Sequence, residues 1–219
     1  MIVLLLACRT EPPETGPRGD CPAGMVAIPA GEFEAGATGE QVGAAVDWPE
    51  KWNLPRQRKT RETGAFCIDA MEYPNEAGAA VKVFVGWEDA HALCEAAGKR
   101  LCREDEWTKA CAGPEGLLFP YGDTYEEGRC NDAVEVGDDS GKRPAGSFPT
   151  CTSGYGVLDM QGNVSEWVAD VHEYKDTMRV LRGGTMWLSI YGQGCMSRHA
   201  HEQHGPTHGD DGFRCCQSS

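Results

Sequence analysis

The chain has 219 residues, 34 acidic against 20 basic side chains (net charge −14), 40% apolar and 25% charged residues. That is the length and balance of one folded domain, which excludes wholesale disorder, and the acidic excess excludes nucleic acid or anionic lipid as the main partner. The only uninterrupted apolar run, residues 1–7, is far short of the roughly 20 residues of a membrane-spanning helix.

In chain order, the apolar residues 1–7 end at Cys8 and give way to Arg9-Thr10-Glu11-Pro12-Pro13. Leu5-Leu6-Ala7-Cys8 resembles the lipobox of bacterial lipoproteins, which implies a signal segment over 1–7, lipid attachment at Cys8 and a flexible tether over 8–20. The folded domain is expected over 21–219. Met25 to Pro29 reads as a short strand, residues 37–62 with Trp48 and Trp52 as a long loop, and Phe66 to Glu72 as a second strand. Val81 to Val85 alternates apolar and polar residues and predicts a third. A helix is predicted over 87–97, with Trp87, Ala90, Leu93, Cys94 and Ala97 on one face and Gly98 as its stop. Another begins near Glu104, carries Trp107, Ala110 and Cys111, and stops at Gly113-Pro114. Residues 115–219 are glycine-rich with little period, apart from short strands near Val180-Leu181 and Phe213-Arg214. Two helices, short strands and long loops make an α+β domain that needs staples.

The staples are cysteines. Eleven are scattered without Cys-x-x-Cys pairs, which argues for disulfides in an oxidising compartment over zinc ligation. Removing Cys8 from the count leaves an even ten.

Seven segments, in order, are similar to those of one family. They are Gly24-Met25-Val26-Ala27-Ile28-Pro29 with Gly31; Cys67-Ile68-Asp69 with Glu72; Gly98-Lys99-Arg100-Leu101 with Glu104, Glu106 and Trp107; Tyr121-Gly122; Gly162-Asn163-Val164-Ser165-Glu166-Trp167; Leu181-Arg182-Gly183-Gly184-Thr185; and Gly212-Phe213-Arg214-Cys215. On these the chain resembles the formylglycine-generating, or sulfatase-modifying factor, superfamily over about 22–216, which implies a C-type-lectin-like fold. The resemblance also implies the disulfides Cys94–Cys215 and Cys111–Cys195. Cys21, Cys67, Cys102, Cys130, Cys151 and Cys216 then admit fifteen pairings. Adjacent Cys215 and Cys216 are expected to bond to different partners.

Family enzymes that make formylglycine carry two reactive cysteines that bind copper(I) before the final Gly-Phe-Arg-Cys. Here that stretch, Thr185 to Cys195, holds only Cys195, at the position of a structural cysteine, so both reactive positions read as empty. The resemblance aligns Asn163 and Glu166 with a structural calcium site, the alternative being a hydrogen-bonded turn with Glu166 satisfied by backbone donors, and Asn131 and Asp132 are candidates to contribute to a second such site. His199, His201, His204 and His208 fall within ten residues, beside Glu202, Asp210 and Asp211, and read either as a solvated polar loop or as a site for iron, copper or zinc. Arg182, Arg198 and Arg214 are expected in buried ion pairs.

These readings converge on a monomeric, lipid-anchored protein of the bacterial cell envelope. Its domain binds a peptide, a glycan or an envelope protein. The alternatives are a metal-dependent oxidoreductase using the histidine loop, a chemistry for which the superfamily has iron-dependent precedents, or true formylglycine generation.

Overall fold

The computed structural model describes residues 21–38, 58–132, 141–186 and 194–219. The expected signal segment, Cys8, the tether, Trp48 and Trp52 lie outside the described residues. No helix among those described is long and apolar enough to cross a membrane.

The described residues form three sheets and two helices. Strands β1 (Met25–Ile28), β4 (Phe66–Asp69), β5 (Arg100–Leu101) and β10 (Cys215–Ser218) form an antiparallel sheet ordered β1-β4-β10-β5. Strands β2 (Gly31–Ala35) and β3 (Lys59–Thr63) form a two-stranded ladder. Strands β6 (Ser165–His172), β7 (Lys175–Gly183), β8 (Gly194–Glu202) and β9 (Asp211–Phe213) form a third sheet ordered β8-β7-β6-β9, in which only the β6–β9 pair is parallel.

Helix α1 (Trp87–Ala96) buries Ala90 and Cys94 with Trp87 and Leu93 beside them, as its spacing predicts, although Ala97 falls past its end and is exposed. Gly98 takes φ +71°, the left-handed conformation that lets a chain leave a helix, and Gly113 does the same after helix α2 (Glu104–Ala112) at φ +68°. The start of α2 is fixed from outside and inside. Asp170 accepts the Glu104 N–H at 2.6 Å, and the Glu106 carboxylate accepts that of Arg103 at 2.8 Å.

Two expectations change. Val81–Val85 is not a strand. Its burial does alternate, but the Lys82 and Phe84 N–H groups reach single carbonyls of Tyr73 and His208, and Phe84 sits at φ +51°, so no ladder forms. Conversely, Lys59–Thr63, at the end of the expected loop, is strand β3, and the region after 115 holds three long strands. Each of those is buried on both faces at one end and exposed at the other, which erases the period-two signal.

Two apolar clusters fill the space between layers. One surrounds Trp107, with Phe66, Ile68, Phe119, Met160 and Val180; the other surrounds Trp167, with Val85, Leu101, Leu181 and Phe213. Five disulfides tie them together: Cys21–Cys67, Cys94–Cys215, Cys102–Cys216, Cys111–Cys195 and Cys130–Cys151. The two pairs the resemblance implies are among them, and Cys215 and Cys216 point to different partners. Both helices are thereby stapled to the last three strands.

Candidate functional site

The stretch Gly162-Asn163-Val164-Ser165-Glu166 leads into β6 and places its polar side chains against the core. Gly162 has φ +74°, and a Cβ there would lie 2.3 Å from the carbonyl oxygen of Asn131, so only glycine allows this approach. Asn163 then lies between chains. Its Oδ1 accepts from Asn131 Nδ2 at 2.8 Å and the Arg143 N–H at 2.9 Å, while its Nδ2 donates to Glu72 at 3.0 Å and to the Arg143 carbonyl at 3.1 Å. Burial, with Asp159 and Glu166 nearby, pushes the Glu72 carboxyl well above its usual range.

Glu166 is fully buried and answered from two sides. Arg214 Nε and Nη2 each donate to it at 2.6 Å, and Trp107 Nε1 donates at 2.7 Å. These contacts do not fit calcium. A hard cation needs oxygen lone pairs converging on one point, and here N–H donors occupy both carboxylate oxygens and the amide oxygen of Asn163. Asn131 and Asp132 do not fit either. Asn131 Nδ2 donates to the Gly141 carbonyl and to Asn163, and Asp132 accepts from Tyr125 Oη at 3.2 Å and closely from Gln161 Nε2. Burial raises the Asp132 carboxyl to about 6.

A cleft of about 490 Å³ opens between the β2–β3 ladder, the start of α2 and the third sheet. Its walls are charged: Lys59 and Arg61 on one side, Asp105, Asp170 and Glu173 on the other, and Arg198 at the floor. Arg182 donates to Glu104 at 3.0 Å and to the Cys195 carbonyl at 2.6 Å, and Arg198 bridges Glu104 at 2.7 Å and Glu173 at 2.6 Å. The three arginines singled out by sequence are thus all ion-paired. No aromatic residue lines this cleft among the described residues.

Copper(I) held by two thiolates does not fit residues 21–219, because all ten cysteines there are in disulfides. Cys195 itself is bonded to Cys111.

The histidines divide. His199 and His201 alternate on β8 and share a face with Trp167 and with Asp211 of β9. His201 Nδ1 lies 2.8 Å from Asp211 Oδ2, the His199 and His201 rings are 5.1 Å apart, and the His208 ring is 4.5 Å from that of His201. Burial lowers His199 to about 4, so its ring is neutral at pH 7; the Asp211 hydrogen bond raises His201. His204 stands apart, in the turn beyond β8, 73% exposed and 3.4 Å from Glu88. Glu202 pairs with Lys175 instead. Alternation on one strand marks His199 and His201, and of the acids that the sequence places beside them it is Asp211 that the parallel β6–β9 pairing brings to the rings.

A protein from mouse named inactive C-alpha-formylglycine-generating enzyme 2 is 34% identical over 197 residues, covering 82% of this chain and 60% of its own length; the bovine protein of that name is covered over 47%. The chain therefore spans about half to three-fifths of these relatives. Among solved structures, PvdO from Pseudomonas aeruginosa superimposes with a TM-score of 0.64 at 22% identity, over 89% of this chain and 94% of that one. CarF gives 0.68 at 16%, over 90% and 99%. These share the C-type-lectin-like fold. Residues 10–219 match the sulfatase-modifying factor enzyme 1-like domain, and the chain belongs to that family.

Proposed function

We propose that this is a cell-envelope lipoprotein, anchored through Cys8, whose domain binds a polypeptide segment and does not generate formylglycine. The observation that carries the second half is the pairing of all ten cysteines of 21–219, which leaves no thiolate pair for copper(I) or for attack on oxygen. The relatives named inactive support the same reading. A polypeptide suits the cleft because its walls offer both signs of charge; the stacking faces that sugar rings use are missing from its described lining.

The full chain, supplied with copper(I), air and a cysteine-containing sulfatase peptide, is expected to leave the peptide's mass unchanged; conversion of its cysteine to an aldehyde overturns the proposal. A randomised peptide library selected on the full chain should yield a consensus that binds more weakly to Arg61→Glu. A selection without consensus argues against the cleft. Mature protein that is soluble and unmodified at Cys8 refutes the anchor.

A further inference from the structure

Asp211 is fully buried, yet only one of its carboxylate oxygens is answered. Oδ2 faces His201 Nδ1 at 2.8 Å; Oδ1 has no hydrogen-bond partner among the described residues, and neither does Oγ of Ser165, its neighbour in the β6–β9 ladder. A buried polar atom left unanswered is costly, more so when charged, and such atoms in a folded protein call for an explanation.

The surroundings supply one. Ligand-bearing atoms of His199, His201 and Asp211 all lie within 4.8 Å of one another. Ligands about 2.0–2.2 Å from a metal ion stand about 3–4.4 Å apart, so sub-ångström adjustments would close the group around one ion. We infer that His199, His201 and Asp211 form a binding site for a divalent first-row transition-metal ion such as zinc, cobalt(II) or iron(II). Two imidazoles and one carboxylate match the nitrogen and oxygen preference of these ions, while copper(I) would need sulfur. The side chain of His201 is 31% exposed, which gives an ion a way in, and the His208 ring lies alongside. Trp167 closes the other side.

The ion would also do mechanical work. Strands β8 and β9 are the opposite edges of the third sheet, so a metal bound by both would clip its edges together across β7 and β6. None of the three ligands lines the charged cleft, so the site stands whether or not the cleft binds a polypeptide.

The test is to strip the oxidised full chain with a chelator and titrate it with cobalt(II), read by its visible ligand-field bands, and with zinc(II), read by calorimetry. One ion per chain is expected. Asp211→Asn, which keeps the shape of the side chain, and His199→Ala should each weaken binding by about tenfold or more. His204→Ala should leave it unchanged. Should His199→Ala fail to fold, the ring resonances of His199 and His201 in the unaltered protein must both shift on adding zinc(II). No stoichiometric ion, equal affinity in Asp211→Asn, or two unmoved rings would overturn the inference.

Discussion

Glu166 and Asp211 are carboxylates with almost no exposure, on neighbouring strands β6 and β9 of one sheet. Glu166 receives three N–H donors from Arg214 and Trp107. Asp211 receives one imidazole and keeps an oxygen unanswered. A charge buried for architecture is surrounded until nothing is left to satisfy; one kept for a ligand is left incomplete. Glu166 sits where α2, β6 and the C-terminal strand meet and fixes their register, while Asp211 sits beside a ring that is still open to solvent.

The staples around Glu166 test how far architecture explains that half. Cys111–Cys195 closes 84 residues and Cys94–Cys215 closes 121, each worth about 4–5 kcal/mol in the chain-entropy model. The expected effects are unequal. Cys102–Cys216 closes almost the same loop as Cys94–Cys215, so replacing Cys94 and Cys215 by Ser should cost much less than replacing Cys111 and Cys195, read from urea midpoints. Equal losses would mean strain or local packing outweighs loop closure.

Next comes the ion pair itself. Arg214→Met strands a buried Glu166 and should cost about 3–5 kcal/mol. Glu166→Met combined with Arg214→Met should cost less than Arg214→Met alone, because no charge is left behind. A double variant as damaged as the sum of its parts would show that Glu166 is held for its contacts to Trp107 and not for its charge.

On the other side, His199 makes the sheet sensitive to acid. Its pKa is about 4 in the folded chain against about 6.5 unfolded, so between those values the unfolded chain binds more protons. His199's contribution is complete above pH 6.5 and is lost as pH falls towards 4, amounting to about 3 kcal/mol. His201, raised by Asp211, acts in the opposite sense, its stabilisation present below the unfolded pKa and lost as pH rises through the folded one. In chelator, His199→Gln should therefore flatten the loss of stability between pH 6.5 and 4; an unchanged slope would place the acid sensitivity elsewhere.

The sequence was legible where a local rule governs. Gly98 and Gly113 end the helices because each must take positive φ, and Ala90, Cys94, Trp107 and Cys111 recur at helical spacing. It was illegible where topology governs. Strands β6 to β8 run from a two-sided interior to solvent, so neither alternation nor an apolar run marks them; ion pairs at Arg182, Arg198 and Arg214 are expected from the sequence, but the partners Glu104, Glu173 and Glu166 follow only from the folded path. The same limit applies at the site. His199 and His201 share a face by alternation, but His204, three residues on, turns away because the strand ends at Glu202. The pairings Cys21–Cys67, Cys102–Cys216 and Cys130–Cys151 likewise follow from the folded path, since spacing alone weighs all fifteen combinations equally.

The smallest effect bears most directly on how the two carboxylates differ. Trp107→Phe removes the indole N–H that Glu166 accepts but leaves both bonds from Arg214 in place, so the carboxylate keeps a donor on each oxygen. The loss should be about 1–2 kcal/mol, from one hydrogen bond and the missing half of the ring system, with the native disulfides still forming. A loss above about 4 kcal/mol would instead mean that Glu166, like Asp211, tolerates no unanswered lone pair without outside help, and the contrast between the two carboxylates would fail.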